Sequence, residues 1–444
     1  MSKINTMNFY KHAGGLSPGH TIGHLTQIID KLRSYNKQNK NRKVIFLAGD
    51  SSLDNKYWPL NDPNEQKLCN KPPINGYEDV LEGDNCVPDV AYQINIQLID
   101  NGLNNEYVCI NTSIEATTLH QRFTRTNYSG DIILLPQDKF IYDNIRPDDI
   151  LIVSVGGNDI ALDALPDTIT NFNTCVLNIM RDKKSLSQMP QFRGYFYNIF
   201  KEKIETYIKK LCSKNSKDSL PFLIIPCMVY FPSLTQDGFA DDILSLTGYK
   251  TGNKEILENF IRDLYCDSTR DISIMKQKVG MVNPHNIIDP CPLYEVLDSS
   301  NDKLYLRSVE PSIEGGKLMA ARFVDQIKIH IYIRSHFNNT GSDDFGHTYS
   351  MLYFRNTFLP NLFINKNNKY KTLVNELLLE SNKLNHYKKD KYYHNELKKY
   401  INIIFKNSIN IDDIRLFIYN QVPISEAERL LAASATDFSW GDDD

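Results

Sequence analysis

No apolar run in the chain approaches the roughly 18 to 20 residues that cross a bilayer, so a membrane-spanning segment is not expected. The opening stretch, Met-Ser-Lys-Ile-Asn-Thr-Met-Asn-Phe-Tyr, also lacks the apolar block of a secretion signal. Eight cysteines are scattered (Cys69, Cys86, Cys109, Cys175, Cys212, Cys227, Cys266 and Cys291), with no Cys-x-x-Cys or Cys-x-His pairing to suggest a metal site. Cys109 and Cys227 fall inside apolar runs, where a free thiol behaves as a small hydrophobe. These absences lead us to expect a reduced, cytoplasmic protein with no metal. Positive charge is not in excess either: the formal net charge of -4 argues against a dedicated nucleic-acid binder. Internal repeats are also missing.

What is present is an ordinary globular composition, 41% hydrophobic and 23% charged. At 444 residues the chain is long for a single core. The Asn338-Asn-Thr-Gly341 break divides it into an expected α/β domain over 1–340 and an extension over 341–444. The extension is helical in pattern over Thr372–Leu384, Glu396–Phe405 and Ser425–Ala435, basic from Lys366 to Lys399, and ends in an acidic Trp440-Gly-Asp-Asp-Asp444.

In the first part, residues 1–19 read as an irregular lead-in. A helical period follows, with Ile22, Leu25, Ile28, Ile29 and Leu32 on one face. Lys43-Val-Ile-Phe-Leu-Ala has no polar alternation and reads as a buried strand. Similar runs recur at Tyr107–Ile110, Asp149–Val155, Phe222–Tyr230 and Asn286–Ile288. Between them lie helical patterns at Asp89–Asp100, 167–181, 193–213, 254–265 and 270–279, and a closing helix runs from Ser312 to about Arg334. Strands alternating with helices predict a three-layer α/β/α fold around a five-stranded parallel sheet.

Three of these strands end in small, polar clusters: Gly49-Asp50-Ser51-Ser52, Asn111-Thr-Ser-Ile-Glu-Ala-Thr-Thr118 and Gly156-Gly157-Asn158-Asp159. In open α/β sheets the carboxyl ends of the strands carry the chemistry. Ser51 is the first candidate nucleophile. In order and placement these clusters resemble the motif blocks of the SGNH (GDSL-type) hydrolases, a superfamily of α/β/α esterases and lipases, over roughly residues 40–330. The resemblance implies Ser51 as nucleophile. It also implies an oxyanion hole from the backbone N–H groups of Ser51 and Ala116 and the Asn158 amide, with Ala116 standing where the family has glycine. Asp50, Gly157 and Asp159 flank these positions and are expected near substrate. No cofactor is implied.

The last block departs from the family. Where the family has Asp-x-x-His-Pro, this chain reads Arg307-Ser-Val-Glu310-Pro, so Glu310 replaces the general base and Arg307 its orienter. Three readings follow. Glu310 is itself the base, though its ordinary pKa of about 4.3 is low and a paired Arg307 would lower it further; only burial would raise it. Alternatively, a histidine arrives from elsewhere, His285 being nearest in sequence and His336 and His347 following the last helix. Or the fold binds without hydrolysing, engaging a protein partner through 341–444. The long segment Lys56 to Val87 lies where a substrate loop is expected, with Tyr57, Trp58, Asn75 and Tyr77 as candidate pocket residues. The sequence thus points to an esterase acting on a small or acylated substrate, with a binding or scaffold protein as the alternative.

Overall fold

The computed structural model describes residues 2–11, 19–34, 41–130, 132–182, 188–214, 220–274 and 287–340. Its centre is a parallel sheet of five strands: β1 (Lys43–Gly49), β2 (Tyr107–Asn111), β3 (Ile150–Ser154), β4 (Leu223–Met228) and β5 (Ile287–Ile288). Their spatial order is β2-β1-β3-β4-β5, all parallel, and Cys291–Pro292 adds a short pairing beyond β5 at the end of β4. Every residue of β2, β3 and β4 is buried, and β1 is buried throughout after Lys43. Apolar runs without alternation form here because helices cover both faces, leaving no wet side to select polar residues.

The helices that matter for the site are α1 (Ile22–Ser34), α2 (Val90–Asp100), α3 (Leu119–Thr124), α4 (Pro136–Asn144), α5 (Asn158–Ala161) and α6 (Pro166–Asp182). They are followed by α7 (Pro190–Tyr197), α8 (Ile204–Cys212), α9 (Asp241–Leu246), α10 (Lys254–Asp267) and α11 (Ile313–Thr340). A π-helical turn at Asn198–Lys203 joins α7 to α8. Capping follows the sequence: Asp89 accepts from Tyr92 N at the start of α2, Thr118 and Gln121 form a capping box on α3, and Ser312 Oγ accepts from Gly315 N on α11.

Some local expectations differ from the structure. The lead-in contains a two-residue strand, Ile4–Asn5, paired with Leu81–Glu82, and a short helix Thr6–Tyr10, because Ile4, Phe9 and Tyr10 are drawn into the core. Where a helix over 270–279 was expected, residues 269–271 form a single 3-10 turn and 272–274 are irregular, with the remainder outside the described residues. The extension 341–444, with its expected helices and partner surface, and His285 and His347 also lie outside them. One compact unit comprises 1–276 with 283–334; a second comprises 277–282 with 335–444, of which only 335–340 are described. Among the described residues no helix is long and apolar enough to cross a membrane, and no cysteine is in a disulfide.

The sheet order places β1 at a reversal. From β1 the chain moves outward to β2, then returns past β1 to β3. The carboxyl ends of β1 and β3 therefore diverge at a topological switch point, where this class of sheet opens a crevice. Ser51 follows the end of β1, and Gly156-Gly157-Asn158 the end of β3.

Candidate active site

The turn after β1 depends on Gly49. A Cβ there would lie 2.4 Å from the Ser154 carbonyl oxygen, so only glycine lets β1 and β3 close at this level. The Asp50 carboxylate accepts from Ser52 N at 3.0 Å, and Asp50 O accepts from the N–H groups of Leu53 and Asp54. This Asx turn fixes the segment on which Ser51 stands. Ser52 and Ser154 share a 2.7 Å hydroxyl bond across the two strand ends.

The Ser51 hydroxyl lies 3.0 Å from Glu310 Oε1, to which it donates. Glu310 comes from 259 residues further along the chain, on a short hairpin of β6 (Tyr305–Arg307) and β7 (Glu310–Pro311) that leads into α11. It is buried, and its second oxygen has no hydrogen-bond partner. Burial pushes the carboxyl well above the ordinary range; the nearby Glu115 and Asp50 carboxyls add to this, while the Ser51 bond pulls the other way. Arg307 and Glu310 do not form an ion pair. Arg307 is exposed, and its guanidinium donates to the Leu306 carbonyl. A guanidinium left in water avoids the desolvation that pairing with a buried carboxylate would impose.

Behind Ser51 lies a charged cluster that the sequence did not disclose. Asp54 and Lys56 form an ion pair buried at 0% and 1% exposure, values that make it part of the interior. Asp54 also accepts from Asn111 Nδ2 at 3.1 Å and from Glu115 N at 3.3 Å. The Glu115 carboxyl is buried with one oxygen unpartnered, and burial, helped by Asp54 and opposed by Lys56, raises it to about 8. Both Asp54 and Lys56 immediately follow the Gly-Asp-Ser motif and Glu115 precedes Ala116. Nothing in a single sequence distinguishes such charges from solvated loop residues.

The loop after β2 is tied to the Ser51 turn from both sides. Ile114 N donates to Gly49 O, and buried Arg122 reaches Gly49 O at 3.0 Å, Thr117 Oγ1 at 3.0 Å and Thr118 O at 3.1 Å while pairing with Asp138. Ala116 is held at φ 56°, a left-handed conformation that glycine adopts freely and alanine does not. The Asn158 amide donates to Thr117 O at 3.1 Å, which uses one of its two hydrogens. Asp159 accepts from the N–H groups of Leu119 and His120 at 2.7 and 2.8 Å, so its carboxylate closes the N-terminus of α3 instead of facing substrate.

Asp50, Ser51, Gly157 and Asn158 line one end of a cavity of about 110 Å³. Burial raises the Asp50 carboxyl to about 6. None of the four candidate pocket residues Tyr57, Trp58, Asn75 and Tyr77 lines this cavity. Tyr77 is buried with its hydroxyl on the Cys109 carbonyl at 3.0 Å, and lines a separate small cavity with Phe9, Tyr10 and His20. Tyr57 packs edge-on against Trp58 and does not line the Ser51 cavity. Asn75, at φ 55°, is a structural bracket, accepting from Arg42 and donating to Asn95. Among the described residues no cluster of His, Cys, Asp and Glu is arranged to hold a metal ion.

No protein-family profile and no curated protein sequence matches the chain. Among solved structures it is similar to a carbohydrate acetylesterase from Sinorhizobium meliloti, at 10% identity over 65% of this chain and 99% of that one, with a TM-score of 0.32. It is also similar to the aryl esterase of M. smegmatis, at 10% identity over 64% and 98%, with a TM-score of 0.31. A third is an acetyl xylan esterase from Geobacillus stearothermophilus, at 14% identity over 64% and 94%, with a TM-score of 0.28. Overlap of this extent assigns the chain to none of their families; the three-layer class rests on the sheet order and its flanking helices.

Proposed function

We propose that the protein is a serine hydrolase of ester or acyl groups, with Ser51 as nucleophile and Glu310 as general base. The observation that carries this is the 3.0 Å contact between Ser51 Oγ and Glu310 Oε1, inside a buried site at the sheet's switch point. A surface glutamate is too weak a base near neutral pH, but burial pushes the Glu310 carboxyl well above its ordinary value, which makes the ionised carboxylate a stronger base. The exposed Arg307 does not oppose that effect.

In the acylation step Ser51 Oγ bonds to the substrate carbonyl carbon as its proton passes to ionised Glu310. The carbonyl π electrons move onto oxygen, and the N–H groups of Ser51 and Ala116 and the second Asn158 amide hydrogen would stabilise that charge. Collapse expels the alcohol, which takes the proton back from Glu310 and leaves an acyl-serine. Water then repeats the sequence, giving its proton to Glu310 and releasing the acid and free Ser51. The test is turnover of short p-nitrophenyl esters: activity in the wild type that disappears in Ser51→Ala supports the reading, and equal activity in both removes it.

A competing reading is a non-hydrolysing binding protein whose partner contacts residues 341–444. It is favoured by the fact that, among the described residues, Glu310 is the only side chain bonded to the Ser51 hydroxyl, with no imidazole there. It predicts an unreactive Ser51 and a partner captured equally well by Ser51→Ala.

A further inference from the structure

The cavity at Ser51 is polar at one end only. Asp50, Ser51, Ser52, Ser154 and Asn158 supply its hydrophilic rim, and away from them the wall is aliphatic and aromatic. Several separate elements furnish that wall, among them α6 with Phe172, the π-helical turn with Phe200, β4 with Met228, and α10 with Phe260 and Leu264. The aromatic walls are braced. Phe260 meets Phe172 edge-on at 5.4 Å between ring centroids and Phe196 at 5.0 Å. The aromatic part of the wall is therefore braced by packed helices, and the 229–240 segment and Val309 complete the lining.

We infer that this cavity is an acyl pocket for an unbranched aliphatic chain of about four to six carbons, the size following from comparison with an engineered apolar cavity of roughly 150 Å³ that accepts benzene. At about 110 Å³ the present space is somewhat smaller. An acetyl group would occupy only its mouth and leave apolar wall without contacts, whereas a chain much longer than six carbons would have to displace Phe172 or Phe260. The carbonyl of such an ester would sit at the rim beside Ser51 and Asn158, with its alkyl tail against the apolar lining of Phe172, Met228 and Phe260. This assignment rests on the ester-hydrolase reading for its chemistry but not for its shape or polarity.

The experiment compares kcat/KM for p-nitrophenyl esters from acetate to dodecanoate on the full chain. Each methylene buried should add about four-fold, giving a rise from acetate of roughly 16-fold if the optimum is butanoate or roughly 250-fold if it is hexanoate, then a fall by decanoate. An optimum at acetate, or a flat series, overturns the assignment. Ala240, fully buried on the cavity wall just before α9, offers a filling variant. Ala240→Leu should move the optimum to shorter chains and invert the hexanoate-to-acetate ratio; an unchanged ratio in folded protein contradicts the pocket. A measurement without catalysis uses Ser51→Ala and reads the Tm shift with acetate, butanoate, hexanoate or decanoate at equal concentration. Stabilisation peaking at butanoate or hexanoate upholds the pocket even if no ester is turned over, in which case only the hydrolase reading falls. Ester turnover without chain preference, together with equal Tm shifts, retains the hydrolase and removes the pocket.

Discussion

Replacing Glu310 by Gln separates the chemistry from the fold. Glutamine keeps the size and an oxygen able to accept from Ser51 Oγ at the present 3.0 Å, but it cannot take a proton. Loss of a general base costs about 10²–10⁴ in kcat, equivalent to ~3–5 kcal/mol of barrier. The pH profile adds a second signature. Because burial and Glu115 hold the Glu310 carboxyl well above its ordinary value, wild-type kcat/KM should rise with pH along a limb displaced upward from the usual carboxylate range, and the variant should lose that limb. The limb belongs to the Glu310–Glu115 pair, since neighbouring carboxyls titrate together. Stability moves differently from activity. A carboxyl whose folded pKa is raised contributes stability below its unfolded pKa that is lost as pH rises through the folded pKa. The amide has no such loss, so Glu310→Gln should melt no lower than wild type at pH 8. Steady-state ester hydrolysis across pH 5–9, paired with thermal melts, measures both. A variant within three-fold of wild-type kcat would refute Glu310 as the base.

Ala116→Gly relieves a left-handed alanine, worth roughly 1–2 kcal/mol, against a backbone-entropy cost of about 0.5–1 kcal/mol; chemical denaturation should show stability unchanged or raised by up to ~1 kcal/mol, and a clear loss would contradict the strain at φ 56°. Arg122→Met leaves the buried Asp138 carboxylate with the Tyr207 hydroxyl but without its counter-ion and removes the guanidinium that ties the Gly49 and Thr118 carbonyls together, so unfolding free energy should fall by ~3–5 kcal/mol and any ester turnover with it; a loss under ~1 kcal/mol would show that this bracket is dispensable. Asp50 and Asp89 are raised to about 6, Glu65 to about 7 and Glu115 to about 8, mainly by burial. In each case the folded state holds protons that the unfolded chain releases, so Tm should decline as pH rises from about 5 to 8; a Tm that rises across this window would contradict it.

The sheet was legible because its strands are buried on both faces, and Val44–Ala48, Tyr107–Ile110 and Ile150–Ser154 therefore carry no alternation to confuse with a surface strand. The ends of those strands were legible as turn-forming polar clusters. Which ends meet was not written locally; it follows from the strand order, which sets β1 between β2 and β3. Glu310 could be flagged as standing in for histidine, but spacing alone could not show that Arg307 and Glu310 part company. A register shift in the hairpin between Glu310 and Pro311, and the cost of burying a guanidinium, decide that the carboxylate goes in and Arg307 stays out. The aromatic loop residues misled for a similar reason. Tyr77 reads as a candidate for pocket lining from its place in the long Lys56–Val87 segment, yet its hydroxyl closes the Cys109 carbonyl on β2, a contact 32 residues away in sequence. Lys56, Asp54 and Glu115 look like solvated loop charges until packing encloses them.

The central claim is that Ser51 is an activated nucleophile. Its most direct measurement is covalent labelling of the folded full-length chain with a fluorophosphonate, followed by peptide mass spectrometry. A single adduct should form on Ser51, absent from Ser51→Ala and at least about a hundred-fold slower to form in Glu310→Gln. Folded protein that stays unlabelled, or labels at another residue with Ser51 untouched, would contradict it.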